Sequence, residues 1–184
     1  MHRRIMVTAV VIAFLAVLSA AVYLRQSPSS VGQPQSAFDV DVPSGQVFAN
    51  GNASAHFEFD PTVRLGDKTS AGLQQVIFEV GVKNKTQTPI RHLTIGGILD
   101  DEVVEALETP IPFFGTATDE DQNLIPGEIP YAIYVSRIAY IIDPERLTSS
   151  DKLDLFRALQ SPIRLKIKWD SGVEYISVEP VVSR

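Results

Sequence analysis

Alternation of apolar and polar positions, the period of a strand, dominates the chain beyond residue 45. In "VIFEVGVKN" it puts Val76, Phe78, Val80 and Val82 on one face and Glu79 and Lys83 on the other. Polar Asn84 to Pro89 then reverses the chain, and Ile90 to Leu99 returns as a second strand. "IRLKIKW" alternates throughout, with Ile163, Leu165, Ile167 and Trp169 inward and Arg164, Lys166 and Lys168 toward water. Phe57 and Phe59 alternate with His56 and Glu58 just after Asn50-Gly51, the dipeptide of tight hairpins. Ile129 to Ile142 predicts one long strand or two short ones, and "VEYISVEPVV" the last.

The period changes in "LTSSDKLDLFRALQSP". Leu155 and Leu159 are four apart, Leu153, Phe156 and Leu159 three apart, Thr148 and Asp151 have capping-box spacing, and Pro162 stops the helix. Asp101 to Leu107 carries a weaker signal for a second short helix. About seven short strands around one short helix predict a mainly β fold, an immunoglobulin-like antiparallel β-sandwich. A turn centred on Ser171-Gly172 would set Ile167 opposite Ile176, Leu165 opposite Val178 and Arg164 opposite Glu179.

Residues 1–25 follow a different rule. Ile5 to Leu24 is uncharged, and 20 helical residues at about 1.5 Å each span roughly the 30 Å of a bilayer core. Arg3 and Arg4 precede the run, which predicts a signal anchor with a cytoplasmic amino terminus and an extracytoplasmic domain at the cell membrane. Cleavage near Ser19-Ala20-Ala21 is the alternative, although the apolar part of a signal peptide usually runs only about 7–15 residues. Residues 26–44, rich in Ser, Pro, Gln and Gly, predict a flexible linker, and 45–184 one domain. Without cysteine there are no disulfides and no thiolate metal sites. Setting Arg3, Arg4 and Arg25 aside leaves 13 basic against 22 acidic residues, a charge of about −9 that disfavours nucleic acid and anionic lipid as partners.

"FEVGVKNKTQTPIRHLTIGGILDD" and, after a gap, "NLIPGEIPYAIYV" resemble the FxLYD-like and late-embryogenesis-abundant-like accessory domains over about residues 76–136. Val82, Asn84 and Thr86 match the V-x-N-x-T turn, Ile98 to Asp101 the strand entering an acidic turn, and Leu124, Pro126, Gly127 and Glu128 the L-x-P-G-E turn. Ile95 to Asp100 stands where the Phe-x-Leu-Tyr-Asp signature would be. The resemblance implies a β-sandwich without enzymatic role, hung outside a bacterial membrane from a single helix.

Little in the chain points to chemistry. Asp119, Asp121 and Asn123 have the spacing that opens a calcium loop, but Leu124 and Pro130 occupy its sixth and twelfth positions and exclude an EF-hand. Asp119, Glu120 and Asp121 are left as candidates for a looser cation site. Asp100, Asp101 and Glu102 lie adjacent at a strand end, with no burial to divide acid from base work. Ser149 and Lys152 form an S-x-x-K explained by helix capping. His56 and His92 have no second histidine at ligand spacing, which marks them as surface or satisfied core residues. Asn52 and Asn84 open glycosylation sequons, relevant only in a eukaryotic host. Gly96-Gly97 inside a strand predicts a bulge or bend. Phe113-Phe114, in a proline-rich stretch, either plugs an open end of the sandwich or docks a partner.

The expectation is therefore a non-catalytic module, with no cofactor or metal, that binds an envelope or surface protein. The alternatives are a small metal-dependent or hydrolytic enzyme with its site at loop 119–123, and a carrier of a small apolar ligand.

Overall fold

The computed structural model describes residues 38–117, 122–128 and 130–183. The protein is mainly β, with two sheets and few helices. The strands are β1 Ala49–Asn50, β2 Phe57–Lys68, β3 Leu73–Asn84, β4 Ile90–Ile98, β5 Phe113–Gly115 and β6 Gln122–Leu124. They continue with β7 Ala132–Ile142, β8 Ile163–Trp169, β9 Gly172–Val178 and β10 Val181–Ser183. The α-helices are α1 Asp101–Glu105 and α2 Ser149–Ala158. None of the described helices is long and apolar enough to cross a membrane, and the expected anchor, 1–25, lies outside the described residues.

The first sheet runs β1-β9-β8-β4-β5, with β6 also on β4, and the second β10-β2-β3-β7. Pairing is antiparallel except at two short edges, where β1 lies parallel to β9 and β10 parallel to β2. Inner faces of both sheets feed one apolar cluster, with Phe57, Phe78 and Val80 from the second sheet and Ile95, Leu165 and Ile167 from the first. Each such side chain contributes roughly 1.5–3 kcal/mol by burial.

Two expected hairpins are instead passages between sheets. β3 is flanked by β2 on one side and β7 on the other, so β4 has no edge of β3 to join and pairs with β8. The turn between β3 and β4 is as polar as expected: Thr86 N–H donates to Asn84 Oδ1 at 2.8 Å, and Asn84 Nδ2 donates to Thr88 O at 2.8 Å. Asn50-Gly51 likewise joins β1 of one sheet to a 3-10 turn leading to the other sheet, with Asn50 Oδ1 accepting from Asn52 N–H at 2.9 Å.

The β8–β9 hairpin forms with its turn centred one residue earlier than expected. Trp169 lies opposite Gly172, leaving Asp170 and Ser171 as a two-residue loop fastened by Trp169 Nε1–H donating to Ser171 Oγ at 2.7 Å. Ile167 therefore faces Glu174, Leu165 faces Ile176, and Arg164 faces Ser177 rather than Glu179. The shift is two residues, one full period of the pleat, so every side chain keeps its expected face.

Gly96 and Gly97 make no bulge. They point to opposite faces of β4, and both are bare because something lies close. A Cβ on Gly97 would come within 2.5 Å of the Phe114 ring, and one on Gly96 would collide with the Asp39 carbonyl. The second contact belongs to residues 38–41, which lie on the outer face of the first sheet. Val40 is buried there, and Lys166 Nζ meets Asp39 Oδ1 at 2.5 Å and Asp41 O at 2.7 Å. The end of the expected linker is thus tied down, and the Lys166 side chain, expected in water, is only 12% exposed.

Three substitutions separate these roles. Ile167→Ala is expected to cost about 2–5 kcal/mol, and Lys166→Ala about 1.5–3 kcal/mol through its charge-assisted bonds. Lys168→Ala, on the same face but exposed, should stay within about 0.5 kcal/mol. Urea midpoints decide it, and equal values for the two lysine variants would mean that residues 38–41 do not hold the sheet.

Candidate functional site

Each of the two described histidines meets a carboxylate of the β8–β9 hairpin. Glu174 lies on the inward face of β9, and the observed register sets it opposite Ile167, near the end of the sheet. There Ser54 Oγ–H donates to Glu174 Oε2 at 2.7 Å, and His56 Nδ1 lies 2.5 Å from Oε1. The Ser54 oxygen also accepts from the backbone N–H groups of His56 and Phe57, at 3.2 and 2.9 Å. The Trp169 ring closes the group, 5.1 Å from His56 and edge-on to Phe57 at 5.2 Å. Across the hairpin, His92 Nδ1 lies 2.5 Å from Asp170 Oδ1. His92 has φ 53°, left-handed for a side-chain-bearing residue, where the pairing of β4 with β6 shifts register between Ile90 and Leu93.

A nucleophilic serine needs its proton directed at an imidazole nitrogen that can take it. Here Ser54 and His56 both turn to Glu174, so the trio acts as a strap joining the entrance of β2 to β9. Sequence spacing carries no sign of it, because Glu174 lies 118 residues from His56.

The residues singled out from sequence are dispersed. Asp119, Glu120 and Asp121 lie outside the described residues, and Asn123 Oδ1 accepts from His92 N–H at 3.3 Å. Asp100 Oδ1 accepts from Glu102 N–H at 3.3 Å and caps α1. Thr148 Oγ1 caps α2, accepting from Asp151 N–H at 3.3 Å. Phe113 and Phe114 belong to strand β5, opposite Ile98 and Gly97. Phe114 is buried in the core over the bare face of Gly97 and offers a partner nothing, while Phe113 is half-buried. Among the described residues no three His, Asp or Glu side chains are placed to hold a metal ion.

What sequence reading missed is apolar. β7 ends the second sheet, and its outer face shows Tyr134, Ile138, Tyr140 and Ile142, each 40–59% exposed. Its one charged residue, Arg137, faces the opposite way, donating from Nη2 to Thr109 O at 3.1 Å, and burial pulls its pKa below the usual arginine value. The signal was present as alternation in Tyr-Val-Ser-Arg-Ile-Ala-Tyr-Ile-Ile, but both registers of this strand are apolar, so alternation alone does not say which is outside.

The chain matches no protein-family model and no curated protein.

Beside the end of β7, Asp143 caps a 3-10 turn at Pro144–Arg146. Glu145 N–H donates to Asp143 Oδ1 at 3.0 Å, and this bond holds the carboxyl below its ordinary 3.8, against the opposing effect of burial and with help from Lys68 Nζ at 3.2 Å. Lys68 in turn is raised above 10.5, chiefly by Glu145 at 2.6 Å. A depressed carboxyl contributes stability above its unfolded value and loses it as pH falls through the native one. Asp143→Asn should therefore lower the urea midpoint at neutral pH, and its gap to the parent should close as pH drops below 3.8. A gap that persists in acid would show that the carboxylate charge is not what holds the turn.

Proposed function

We propose that the protein is a single-pass membrane protein whose extracytoplasmic domain, an immunoglobulin-like β-sandwich of the FxLYD- or late-embryogenesis-abundant-like accessory kind, binds another envelope or surface protein without catalysis. The docking surface in this reading is the outer face of β7. The observation that carries it is the row Tyr134, Ile138, Tyr140 and Ile142, four large exposed side chains on one uncharged strand face. Single exposed apolar residues are ordinary, whereas contiguous ones mark contact surfaces. Edge strands usually carry outward charge that discourages pairing, and the outer face of β7 has none. The long uncharged run Ile5 to Leu24 supports the anchor, and the acidic remainder supports a protein rather than a nucleic acid as partner.

The absence of cysteine makes the test clean. Ile138→Cys, treated in intact cells or spheroplasts with a membrane-impermeant thiol-directed photo-crosslinker, is expected to give discrete protein adducts. Val173→Cys, also exposed, on β9 of the other sheet, should be labelled without them. Failure of both to label in intact cells would overturn the topology, and equal adducts from both would overturn the docking surface.

A further inference from the structure

The exposed row on β7 ends at Ile142, and Ile142 is also a wall of a groove of about 690 Å³ between α1 and α2. The floor is apolar, built by Ala106, Leu147, Leu155 and Ala158. The rim is acidic, with Glu102 and Glu105 on the α1 side and Asp151 and Asp154 on the α2 side. We propose that this groove takes a cationic amphipathic helix of the partner protein, apolar face on the floor and Lys or Arg side chains against the rim. The inference rests on the docking reading above and names the chemistry of the partner.

Local structure does not use up the rim charge. Glu102 and Asp151 lie in the first turns of their helices and offset the helix dipole there. Glu105 and Asp154 lie beyond the first turn and have no such role. Among the described residues only Asp154 of the four has an ion-pair partner, Arg157 at 3.2 Å, with both groups exposed. Arg157 is also the one base among the described residues that line the groove. No three of the carboxylates converge on one point as metal ligands would, so the charge suits several cations spread along a segment. A second copy of this face would set acid against acid, which disfavours self-association.

The walls select the shape of the occupant. A peptide that adds as a strand needs a run of unpaired backbone groups, and the two long sides are helices whose backbone bonds are internal, with β7 reaching the groove only through its last residue, Ile142. An apolar floor between helices is the setting for side chains at i, i+3, i+4 and i+7 of an incoming helix. The small side chains of Ala106 and Ala158 leave the depth for them.

The probe is a fluorescent helical peptide of leucine and lysine with that spacing, and a twin with glutamate for lysine. Binding is measured by anisotropy to the full chain in discs of zwitterionic lipid, with empty discs subtracted. The lysine peptide should bind saturably, and the glutamate twin at least about tenfold more weakly. Glu105→Lys with Asp154→Lys should weaken the lysine peptide about tenfold or more, whereas Glu58→Lys with Asp60→Lys, the same charge change on exposed positions of β2, should weaken it less than about twofold. Ile142→Asp should also weaken it, as an apolar wall contact requires. Equal losses at the two reversed pairs, like binding of the two peptides, or no saturable binding would overturn the groove as a cationic-helix site. If residue-138 adducts form in cells while the lysine peptide fails to bind, docking stands and the groove inference alone falls. If neither is seen, the docking reading falls with it.

Discussion

The constraint behind the whole structure is the burial of two apolar sheet faces in one core. Phe57, Val63, Phe78 and Val80 of the second sheet share that core with Leu93, Ile95, Leu165 and Ile167 of the first. Strand side chains alternate, so a one-residue slip would carry a whole apolar set into water, and only shifts by two residues are tolerated. That is why the β8–β9 hairpin differs from expectation by two residues with its faces intact. The same constraint places Phe114 over Gly97, because a ring entering the core from β5 needs a neighbour on β4 without a side chain.

Outside the core the two sheets are treated differently. Residues 38–41 cover part of the first sheet's outer face through Val40 and the Asp39–Lys166 pair, and Phe48 lies edge-on to Tyr175 at 5.9 Å. No comparable cover lies on β7 among the described residues, and its outer row stays open from Tyr134 to Ile142. The proposed docking of a partner depends on that asymmetry. Apolar surface that the fold has no use for is concentrated on one strand, and it continues into a groove whose rim adds a charge preference.

Much of the fold was legible because it rests on local periodicity. The buried faces of β3 and β8 and the helix Ser149–Ala158 with its Thr148 cap follow from spacing alone, while the short helix Asp101–Glu105 carried only a weaker signal over Asp101 to Leu107. Strand partners did not, since nothing within Asn84 to Pro89 says that both edges of β3 are already occupied. Lys166 looked solvated because its cover comes from Asp39, 127 residues away. Of the docking candidates, the Phe113-Phe114 pair drew notice by its sequence context, yet Phe114 belongs to the core. The β7 row was hidden because Ile133, Val135 and Ile141 are as apolar as Tyr134, Ile138 and Ile142, and only the positions of β3 and the core separate the sets.

The central claim is that the β7 row is not needed for folding and is therefore free for a partner. Threonine at Ile138 and at Val135 tests it, since both changes keep a β-branched side chain in the same strand on opposite faces, and the exposed change removes more apolar carbon. Urea unfolding should place Ile138→Thr within about 0.5 kcal/mol of the parent, while Val135→Thr, which buries a hydroxyl in the core, should lose about 1–3 kcal/mol. Equal losses would contradict the account, because the row would then be packing that the fold requires rather than surface left open for docking.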